Sequence, residues 1–496
     1  MRWAVLVAAL VATVLSVWQL ERGKSGLEIA PLIVGTTPAT VTRMPGITSA
    51  PAVVIAHGFA GSRPLMEGFA LTLARAGYIV VSYDLLGHGR NPVPMSGDVT
   101  VVSGTTQVLM DELARVSDAA LALPGADGRL ALVGHSMASD IVVRQTMRDA
   151  RVGAVVALSM FSLAVTKDQP RNLLVIAGEW EPLLAAEAEK ALHLADPSAR
   201  LGQTVGSPAQ GTGRRALLAP NVEHVGILFS RTTLAETRDW INASFANSIT
   251  AEVPQRGGWI VLLLMSVVAL GWPLAGALRR FRADEPPIRL PRNSFLAAIL
   301  IPALATPLAL WPLEVRFLPV LVADYLAVHF AVFGFSALAL LAVFGGLRKG
   351  GAWTALAVSA PVALFGIALF GTTLDRYAAS FVPVAGRIPV VLAIAVGAVP
   401  FMLADAVLTE GGRAPLWRVV VVRGLALASL GLAVALDFEG LFFLIIILPI
   451  ILLFFLMFGT VAGWVGRATW RPGAAGIGLG LFLAWALAVT FPMFAA

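Results

Sequence analysis

The sequence predicts two regions of different fold class. Residues 26–256 read as an α/β domain with a doubly wound, mostly parallel sheet, and residues 257–496 as an all-α bundle of transmembrane helices. Short apolar runs of strand length alternate with helical segments in the first region. The second region consists of long apolar blocks. The whole chain of 496 residues is 57% hydrophobic and 13% charged, far more apolar than a soluble protein.

An apolar segment opens the chain at residues 1–25. Residues 3–20 are almost entirely apolar or small, follow a single Arg2 and precede several charged residues. This segment is either an uncleaved anchor or a signal peptide. A signal peptide needs small residues at its cleavage site, and the sequence VWQL at 17–20 is a poor match, which favours the anchor. Whether the segment is an anchor or a signal peptide, we expect the domain that follows it to be exported.

The predicted sheet begins with an edge hairpin at residues 27–41, where β-prone residues are interrupted by prolines. Continuous apolar runs of strand length, typical of buried parallel strands, alternate with segments of helical spacing. The strands are predicted at 52–56, 78–83, 130–133, 154–158, 173–177 and 216–219, and the helices at 66–76, 108–123, 138–148, 185–194 and 233–245. Such alternation indicates a parallel sheet covered on both faces.

The stretch LALVGHSMA at residues 130–138 is central to this region. An apolar strand that stops at Gly-x-Ser-x-small and continues into a helix presents a serine on a sharp, strained turn, which is the geometry of a nucleophile elbow. Ser136 is that serine. Ala138 stands where glycine is more usual, which crowds the turn but still lets strand and helix approach.

Five motifs in this region resemble those of the α/β-hydrolase family, in a compact form without an inserted lid that is similar to dienelactone hydrolases and esterases. They occur in the family's order as HGFAGS (57–62), DLLGHGR (84–90), GHSMA (134–138), GEWEP (178–182) and NVEHVG (221–226). The resemblance covers residues 27–247 and implies a serine hydrolase.

The resemblance implies a catalytic triad in the order serine, acid, histidine. A serine hydroxyl is a poor nucleophile at neutral pH, so it needs an adjacent base, and the base needs a carboxylate that fixes its tautomer. These positions are occupied by Ser136, Glu181 and His224. The family more often has aspartate as the acid, and Glu179 is the competing carboxylate.

Acyl transfer also needs hydrogen-bond donors for the developing oxyanion. The resemblance assigns this role to the backbone N–H groups of Met137, directly after the nucleophile, and of Phe59, in the turn that follows His57. We expect His57 to support that turn. Asp84 is expected to be structural, with a role as the acid as its alternative. Trp180 and Phe59 either line the acyl pocket or simply pack.

Several kinds of site are not indicated. The chain has no cysteine, which excludes disulfides, thiol catalysis and thiolate metal ligands. His57, His88, His135 and His193 show no paired ligand spacing and no glycine-rich loop ends in Lys-Ser or Lys-Thr, so we expect neither a metal nor another cofactor. The net charge of +6 comes from arginines in short loops between apolar blocks, so no nucleic-acid partner is expected.

Eight apolar blocks of the second region are long enough to span a membrane, and the amino-terminal segment makes nine. The blocks lie at 258–278, 294–312, 318–345, 352–371, 388–408, 418–436, 441–463 and 474–494. Cytoplasmic loops carry excess Lys and Arg. The loop after the first block and every second loop from there hold eleven such residues, against three in the others. These loops are therefore predicted to be cytoplasmic, and the α/β domain is predicted to lie on the extracytoplasmic side of the cell membrane.

Few ionisable residues lie within these blocks. Asp324 and His329 share one block, and Asp405 lies near the inner end of another. Intramembrane ionisable residues are functional candidates by default, but Asp324 and His329 are five positions apart and point to different helix faces. We therefore favour buried hydrogen bonds elsewhere over a proton relay. Prolines in several blocks and the pair Gly476-x-x-x-Gly480 indicate kinks and close helix packing.

The sequence thus predicts an exported, membrane-tethered serine hydrolase that acts on an ester, with an amide or thioester as further options, through an acyl-enzyme. Its position at the membrane favours a small-molecule or lipid-like ester as substrate and membrane lipids as partners. Two alternatives stay open. One is a transporter or scaffold in which the hydrolase fold is a sensing module, although no internal repeat of the transporter type is visible. The other is an acyltransferase that uses an alcohol in place of water.

Overall fold

The computed structural model describes residues 1–99, 101–348 and 350–495. Lys349, which the loop-charge argument counts, lies outside them. The chain divides into two compact units. The first comprises Met1–Leu15, Leu262–Leu374 and Phe381–Phe491, and the second Ser16–Val261, Asp375–Ser380 and Pro492–Ala496. The domain limits drawn from the sequence at 25/26 and 256/257 stay predictions.

One sheet organises the second unit. Its strands are β1 (Glu28–Val34), β2 (Thr37–Arg43), β3 (Ala50–Ala56), β4 (Ile79–Tyr83), β5 (Ala126–His135), β6 (Val152–Leu158), β7 (Leu173–Gly178), β8 (Thr204–Val205) and β9 (Arg214–Ala219). Their order across the sheet is β1-β2-β4-β3-β5-β6-β7-β9-β8. The six strands from β4 to β9 in that order are parallel, and β1, β2 and β8 pair antiparallel.

Up to residue 245 the α-helices alternate with the strands as predicted, and from residue 257 the described helices follow one another. They are α1 (Arg2–Arg22), α2 (Glu67–Arg75), α3 (Gln107–Leu121), α4 (Met137–Arg148), α5 (Pro182–His193), α6 (Arg231–Phe245), α7 (Gly257–Ala277), α8 (Arg292–Leu310), α9 (Ala323–Val343), α10 (Ala352–Leu364), α11 (Gly371–Tyr377), α12 (Ile388–Leu408), α13 (Leu416–Leu436), α14 (Phe438–Leu441), α15 (Leu444–Thr469) and α16 (Pro472–Thr490). Together with the strand order, they confirm the predicted fold class, an α/β-hydrolase sheet followed by a helical region.

Helix packing explains the apolar strands of the second unit. Strands β3, β4 and β7 are buried along their whole length, because helices cover both faces of a parallel sheet. Phe69 of α2 and Trp240 of α6 belong to the core cluster on one of these faces. The polar motifs therefore collect where the parallel strands end, at their carboxyl edge.

Nine helical segments of the described residues are long and apolar enough to cross a membrane, as expected for a membrane protein. They are Arg2–Arg22, Gly257–Phe281, Arg292–Leu310, Ala323–Val343, Ala352–Tyr377, Ala385–Leu408, Leu416–Leu436, Ile447–Thr469 and Pro472–Thr490. Each coincides with one of the nine apolar segments found in the sequence.

Glycines let α16 pack closely against α12 in the first unit. A Cβ atom on Gly480 would lie 2.6 Å from the Cα atom of Val399, and one on Gly476 would lie 2.8 Å from the Cα atom of Leu403. Real Cβ atoms do not approach this closely, so a larger residue would push the helices apart. The close packing expected from the Gly-x-x-x-Gly pair is confirmed.

Three ionisable residues within the apolar blocks have hydrogen-bond or ion-pair partners in the structure. Asp324 accepts hydrogen bonds from two backbone N–H groups near the start of α9, whereas His329 Nε2 lies 3.1 Å from Ser429 Oγ. These two residues therefore have separate partners, as predicted. Asp405 pairs with Arg423 of α13 at 3.2 Å. The sequence analysis left Arg423 out, although it lies inside an apolar block.

A carboxyl-terminal segment belongs to the second unit. Met493 N–H donates to Gly87 O at 2.8 Å, and Met95 N–H donates to Met493 O at 2.9 Å. A further bond joins Ala495 N–H to Met95 O at 2.7 Å. These bonds fix the loop that follows β4. Gly87 has φ +73°, and a Cβ atom there would collide with Met493 O.

We expect Gly87→Ala to destabilise the full chain more than Gly128→Ala. Both glycines have positive φ, but a Cβ atom on Gly128 meets nothing within 4 Å. The control therefore carries only the backbone cost of about 1–2 kcal/mol, and Gly87→Ala adds the collision with the carboxyl-terminal segment. Thermal unfolding of the detergent-solubilised chain measures both. Equal midpoints for the two variants would contradict the importance of this contact.

Candidate active site

Ser136 lies on a strained turn between β5 and α4. Its φ of +54° and ψ of −120° are unusual for a residue with a side chain. The turn is held by Ser136 N–H, which donates to Leu158 O at 2.9 Å, and by Ser139 N–H, which donates to Ser136 O at 2.9 Å. A Cβ atom on Gly134 would lie 2.7 Å from Val142 Cγ2. Small residues are therefore needed where the strand meets the helix.

His224 bridges the serine and a carboxylate. Its Nε2 lies 2.8 Å from Ser136 Oγ, and its Nδ1 lies 2.5 Å from Glu181 Oε1. An ionised carboxylate only accepts hydrogen bonds, so Nδ1 carries the proton and Nε2 is free to accept one from the serine hydroxyl. The structure thus brings together the three side chains named from the sequence as the triad.

Glu181 is buried and fully hydrogen-bonded. Its Oε2 accepts from Gly178 N–H at 2.6 Å and from Ser159 Oγ at 2.8 Å, while Oε1 faces His224. Burial raises the pKa of Glu181, but the bonds from His224, Gly178 and Ser159 outweigh it and hold this pKa below its usual range. The carboxylate is therefore charged at neutral pH.

Glu179, the competing carboxylate, has a different partner. Its Oε2 accepts from Asn221 N–H at 2.8 Å, and its own N–H donates to Ala219 O at 2.9 Å. Trp180 N–H donates to Val222 O at 3.1 Å. The turn after β7 is thereby tied to the loop that leads to His224, and Glu179 supports this loop without contacting the imidazole.

His135, the residue before the serine, supports the backbone of His224. Its Nε2 lies 2.9 Å from His224 O and must carry the proton, because a carbonyl oxygen only accepts. Burial and the nearby His224 lower the pKa of His135 to about 3. His135 is therefore neutral at physiological pH and does not compete as a base.

The turn that begins at His57 packs directly against the serine. A Cβ atom on Gly58 would lie 2.8 Å from Ser136 Cβ, so only glycine fits. His57 Nε2 accepts from Leu85 N–H at 3.1 Å, and its Nδ1 donates to Gly58 O at 2.8 Å. Burial lowers the pKa of His57. This histidine is therefore a neutral support, as expected, and it sets the position of the turn that contains Phe59.

Asp84 is committed to the loop after β4. It accepts from Arg63 N–H at 2.8 Å and from Arg90 N–H at 3.1 Å, and it pairs with the Arg63 guanidinium at 3.1 Å. Within the described part of the chain it makes no hydrogen bond to His224. Its geometry is that of a structural anchor, which leaves Glu181 as the carboxylate beside the imidazole.

Three supporting residues were missed by the sequence analysis. Ser159 follows β6 and bonds to Glu181, and His135 supports His224, as described above. Glu112 of α3 accepts from Leu86 N–H at 2.9 Å and from Thr37 Oγ1 at 2.6 Å. Burial raises the pKa of Glu112, against the effect of these bonds. The only sequence signal for Ser159 is its position at the carboxyl end of a buried strand.

Exposed apolar side chains occur in the segments that follow the strand ends near the triad, and we call them the apolar rim. They follow β6, flank Glu181 and follow His224, all at the carboxyl edge of the parallel strands. The rim comprises Phe161 (58% exposed), Leu163 (75%), Trp180 (62%), Leu183 (83%) and Val225 (48%). Exposed apolar groups collected at one edge are typical of a binding surface.

Part of the second unit matches a known family. Residues 48–197 match the family described as serine aminopeptidase, S33. The matched stretch contains Ser136 and Glu181 and ends before His224. It confirms the resemblance to hydrolases of this fold and supports a hydrolase. No curated protein matches the chain.

Solved structures similar to the chain include hydrolases. A dienelactone hydrolase from Anabaena variabilis is 17% identical, and the match covers 45% of this chain and 99% of that one with a TM-score of 0.33. A membrane phospholipase A is 17% identical over 49% of this chain and 96% of that one, with a TM-score of 0.33. A dienelactone hydrolase from Klebsiella pneumoniae, described as putative, is 15% identical over 45% and 99%, with a TM-score of 0.33.

Proposed function

We propose that the protein is a membrane-embedded serine hydrolase that cleaves an ester of an apolar, lipid-like acyl group. The observation that carries the proposal is the unbroken chain of hydrogen bonds from Ser136 Oγ through His224 to Glu181. This arrangement activates a serine hydroxyl. The apolar rim belongs to segments that carry or adjoin Glu181 and His224, and the chain has nine helices of membrane-spanning length among its described residues.

The reaction starts with attack by the serine. Ser136 Oγ forms a bond to the ester carbonyl carbon while His224 Nε2 takes the hydroxyl proton, and the carbonyl oxygen becomes an oxyanion. The bond to the leaving alcohol then breaks, and His224 returns its proton to that alcohol. The acyl group stays on Ser136. Glu181 holds the imidazole in the required tautomer and stabilises the imidazolium.

Water completes the cycle. His224 takes a proton from a water molecule, the hydroxide formed bonds to the acyl carbon, and the bond to Ser136 Oγ breaks as the serine regains its proton. The carboxylic acid leaves. Met137 N–H suits the oxyanion because it belongs to the first residue of α4, where N–H groups have no acceptor within the helix. We assign the second donor to Phe59 N–H, since Gly58 of the same turn packs on Ser136.

An acyl chain longer than a few carbons would lie on the apolar rim. Each buried methylene group contributes about 0.8 kcal/mol of transfer free energy, so contact with several rim side chains is enough to select long chains over short ones. The exposed rim thus favours an amphiphilic ester over a small polar one.

The charge of the loops supports an orientation with the second unit outside the cell membrane. Arginines such as Arg279 and Arg280, at the end of the segment Gly257–Phe281, belong to the loops predicted to be cytoplasmic. The triad then acts at the extracytoplasmic surface, where lipid-like esters are accessible.

We expect a fluorophosphonate probe to label the wild-type chain and to fail on Ser136→Ala. Glu181→Gln should lower kcat for a p-nitrophenyl ester by about 10²- to 10⁴-fold, since the wrong tautomer of His224 is then favoured. Glu179→Gln is the matched control and should keep activity close to wild type, because its oxygen can still accept from Asn221 N–H. Persistent labelling of Ser136→Ala would refute the nucleophile.

The apolar rim should set chain-length preference. In Trp180→Ser with Leu183→Ser, we expect kcat/KM for a p-nitrophenyl ester with a long acyl chain to fall about tenfold or more relative to the acetate ester. Met147→Ser is the control, because this exposed methionine lies near the far end of α4 from the serine. An equal loss for both esters would argue against the rim as the acyl-binding surface.

Single cysteines can test the orientation, because the chain has none of its own. In intact cells, a membrane-impermeant maleimide should label Ser198→Cys in the second unit and Arg316→Cys in a loop predicted outside. Arg280→Cys should react only after permeabilisation, since its loop is predicted inside. The reverse pattern would place the hydrolase domain in the cytoplasm.

A further inference from the structure

A cavity of about 330 Å³ lies in the first unit where α12 ends and where α10 and α16 begin. Liquid water occupies about 30 Å³ per molecule, so this space is the size of a small ligand rather than of a single ordered water. Two arginines and several apolar side chains line it. This cavity is separate from the triad and has no role in the mechanism above.

The wall of the cavity is apolar. Leu403 and Val407 come from α12, Ile477 from α16 and Ala355 from α10. A small inorganic anion gains nothing from such a wall, because its favourable contacts are polar. A hydrocarbon chain does gain from it. The wall therefore favours a ligand with an apolar part.

Arg348 and Arg471 supply positive charge to the same cavity. Arg471 Nε donates to Phe281 O at 2.7 Å, and its two terminal nitrogens make no hydrogen bond to any residue that the structure describes. Arg348 pairs with Glu285 at 2.7 Å, but both side chains are exposed. Exposed pairs contribute about 1 kcal/mol or less, so Arg348 can turn to a stronger anionic partner.

Contacts between two loops fix the backbone position of Arg471. Ala283 N–H donates to Thr469 O at 2.8 Å, which joins the loop after α7 to the end of α15. The guanidinium carbon of Arg282 lies 3.5 Å from the centre of the Trp470 ring, a close cation–π contact. Arg471 directly follows this tryptophan. These contacts join the loop after α7 to the end of α15 and hold the backbone that carries the Arg471 guanidinium.

We propose that this cavity binds the headgroup end of an anionic phospholipid, with the phosphate on Arg348 and Arg471 and the start of one acyl chain along the wall formed by α10, α12 and α16. Guanidinium groups bind phosphate oxygens in two-point contacts, and basic pockets between transmembrane helices bind anionic headgroups. The ligand class follows from charge complementarity combined with the apolar wall. The proposal rests on the membrane placement of the first unit, which membrane fractionation tests separately.

Lipid titration of the purified full chain, followed by native mass spectrometry, tests the site. We expect phosphatidylglycerol to bind at least about tenfold more tightly than phosphatidylcholine. The double variant Arg348→Gln with Arg471→Gln should lose this preference. Arg316→Gln removes an exposed charge that does not line the cavity, and it should keep the wild-type preference.

A second variant removes volume and leaves the charges in place. Ala355→Trp should fill the cavity and abolish the tight phosphatidylglycerol complex. Removing the two charges and removing the cavity volume should therefore both abolish the preference for phosphatidylglycerol. Equal binding of the two lipids by the wild type, or an unchanged preference in the double variant, would overturn the proposal. Complete displacement of the lipid by inorganic phosphate at equal concentration would also overturn it, since the site would then be one for free phosphate.

Discussion

The buried carboxylate of Glu181 is the contact on which the active-site arrangement depends. A charge that is only 8% exposed must be satisfied by hydrogen bonds. Its donors come from three segments, with Ser159 after β6, Gly178 at the end of β7 and His224 after β9. These strands are neighbours in the sheet. One carboxylate therefore fixes the relative positions of three strand ends and holds the imidazole within reach of the serine on β5.

The buried part of the α/β fold could be predicted because helices on both faces make the parallel strands continuously apolar. The ends of the strands were harder to predict from the sequence. Strand β5 begins at Ala126, before the predicted run at 130–133, and its first four residues are partly or fully exposed and include the charged Asp127 and Arg129. The two residues of β8 carry no apolar pattern. Backbone pairing at a sheet edge does not require hydrophobic residues, so the hydropathy of the sequence does not reveal short edge strands or the exposed ends of strands.

The candidate site was predictable where chemistry demands a residue type at a motif position. Ser136, Glu181 and His224 were named from motifs that resemble those of the α/β-hydrolase family, with Glu179 as the competing acid, and the structure brings Ser136, Glu181 and His224 together. The supporting contacts were not predictable. Ser159 and His135 act through hydrogen bonds to groups distant in sequence, and many residue types can occupy such positions. Only the folded sheet determines which of them face the triad.

The length of the acid side chain follows from the same geometry. Glu181 immediately precedes Pro182, the first residue of α5, and its own N–H donates to Gly178 O at 3.0 Å. From this backbone position the carboxylate reaches back to Gly178 N–H with one oxygen and forward to His224 with the other. An aspartate is shorter by one carbon–carbon bond, about 1.5 Å, and would lose at least one of these donors. The glutamate is therefore matched to its tight turn, which also explains Gly178, where a Cβ atom would lie 2.9 Å from Glu181 Oε2.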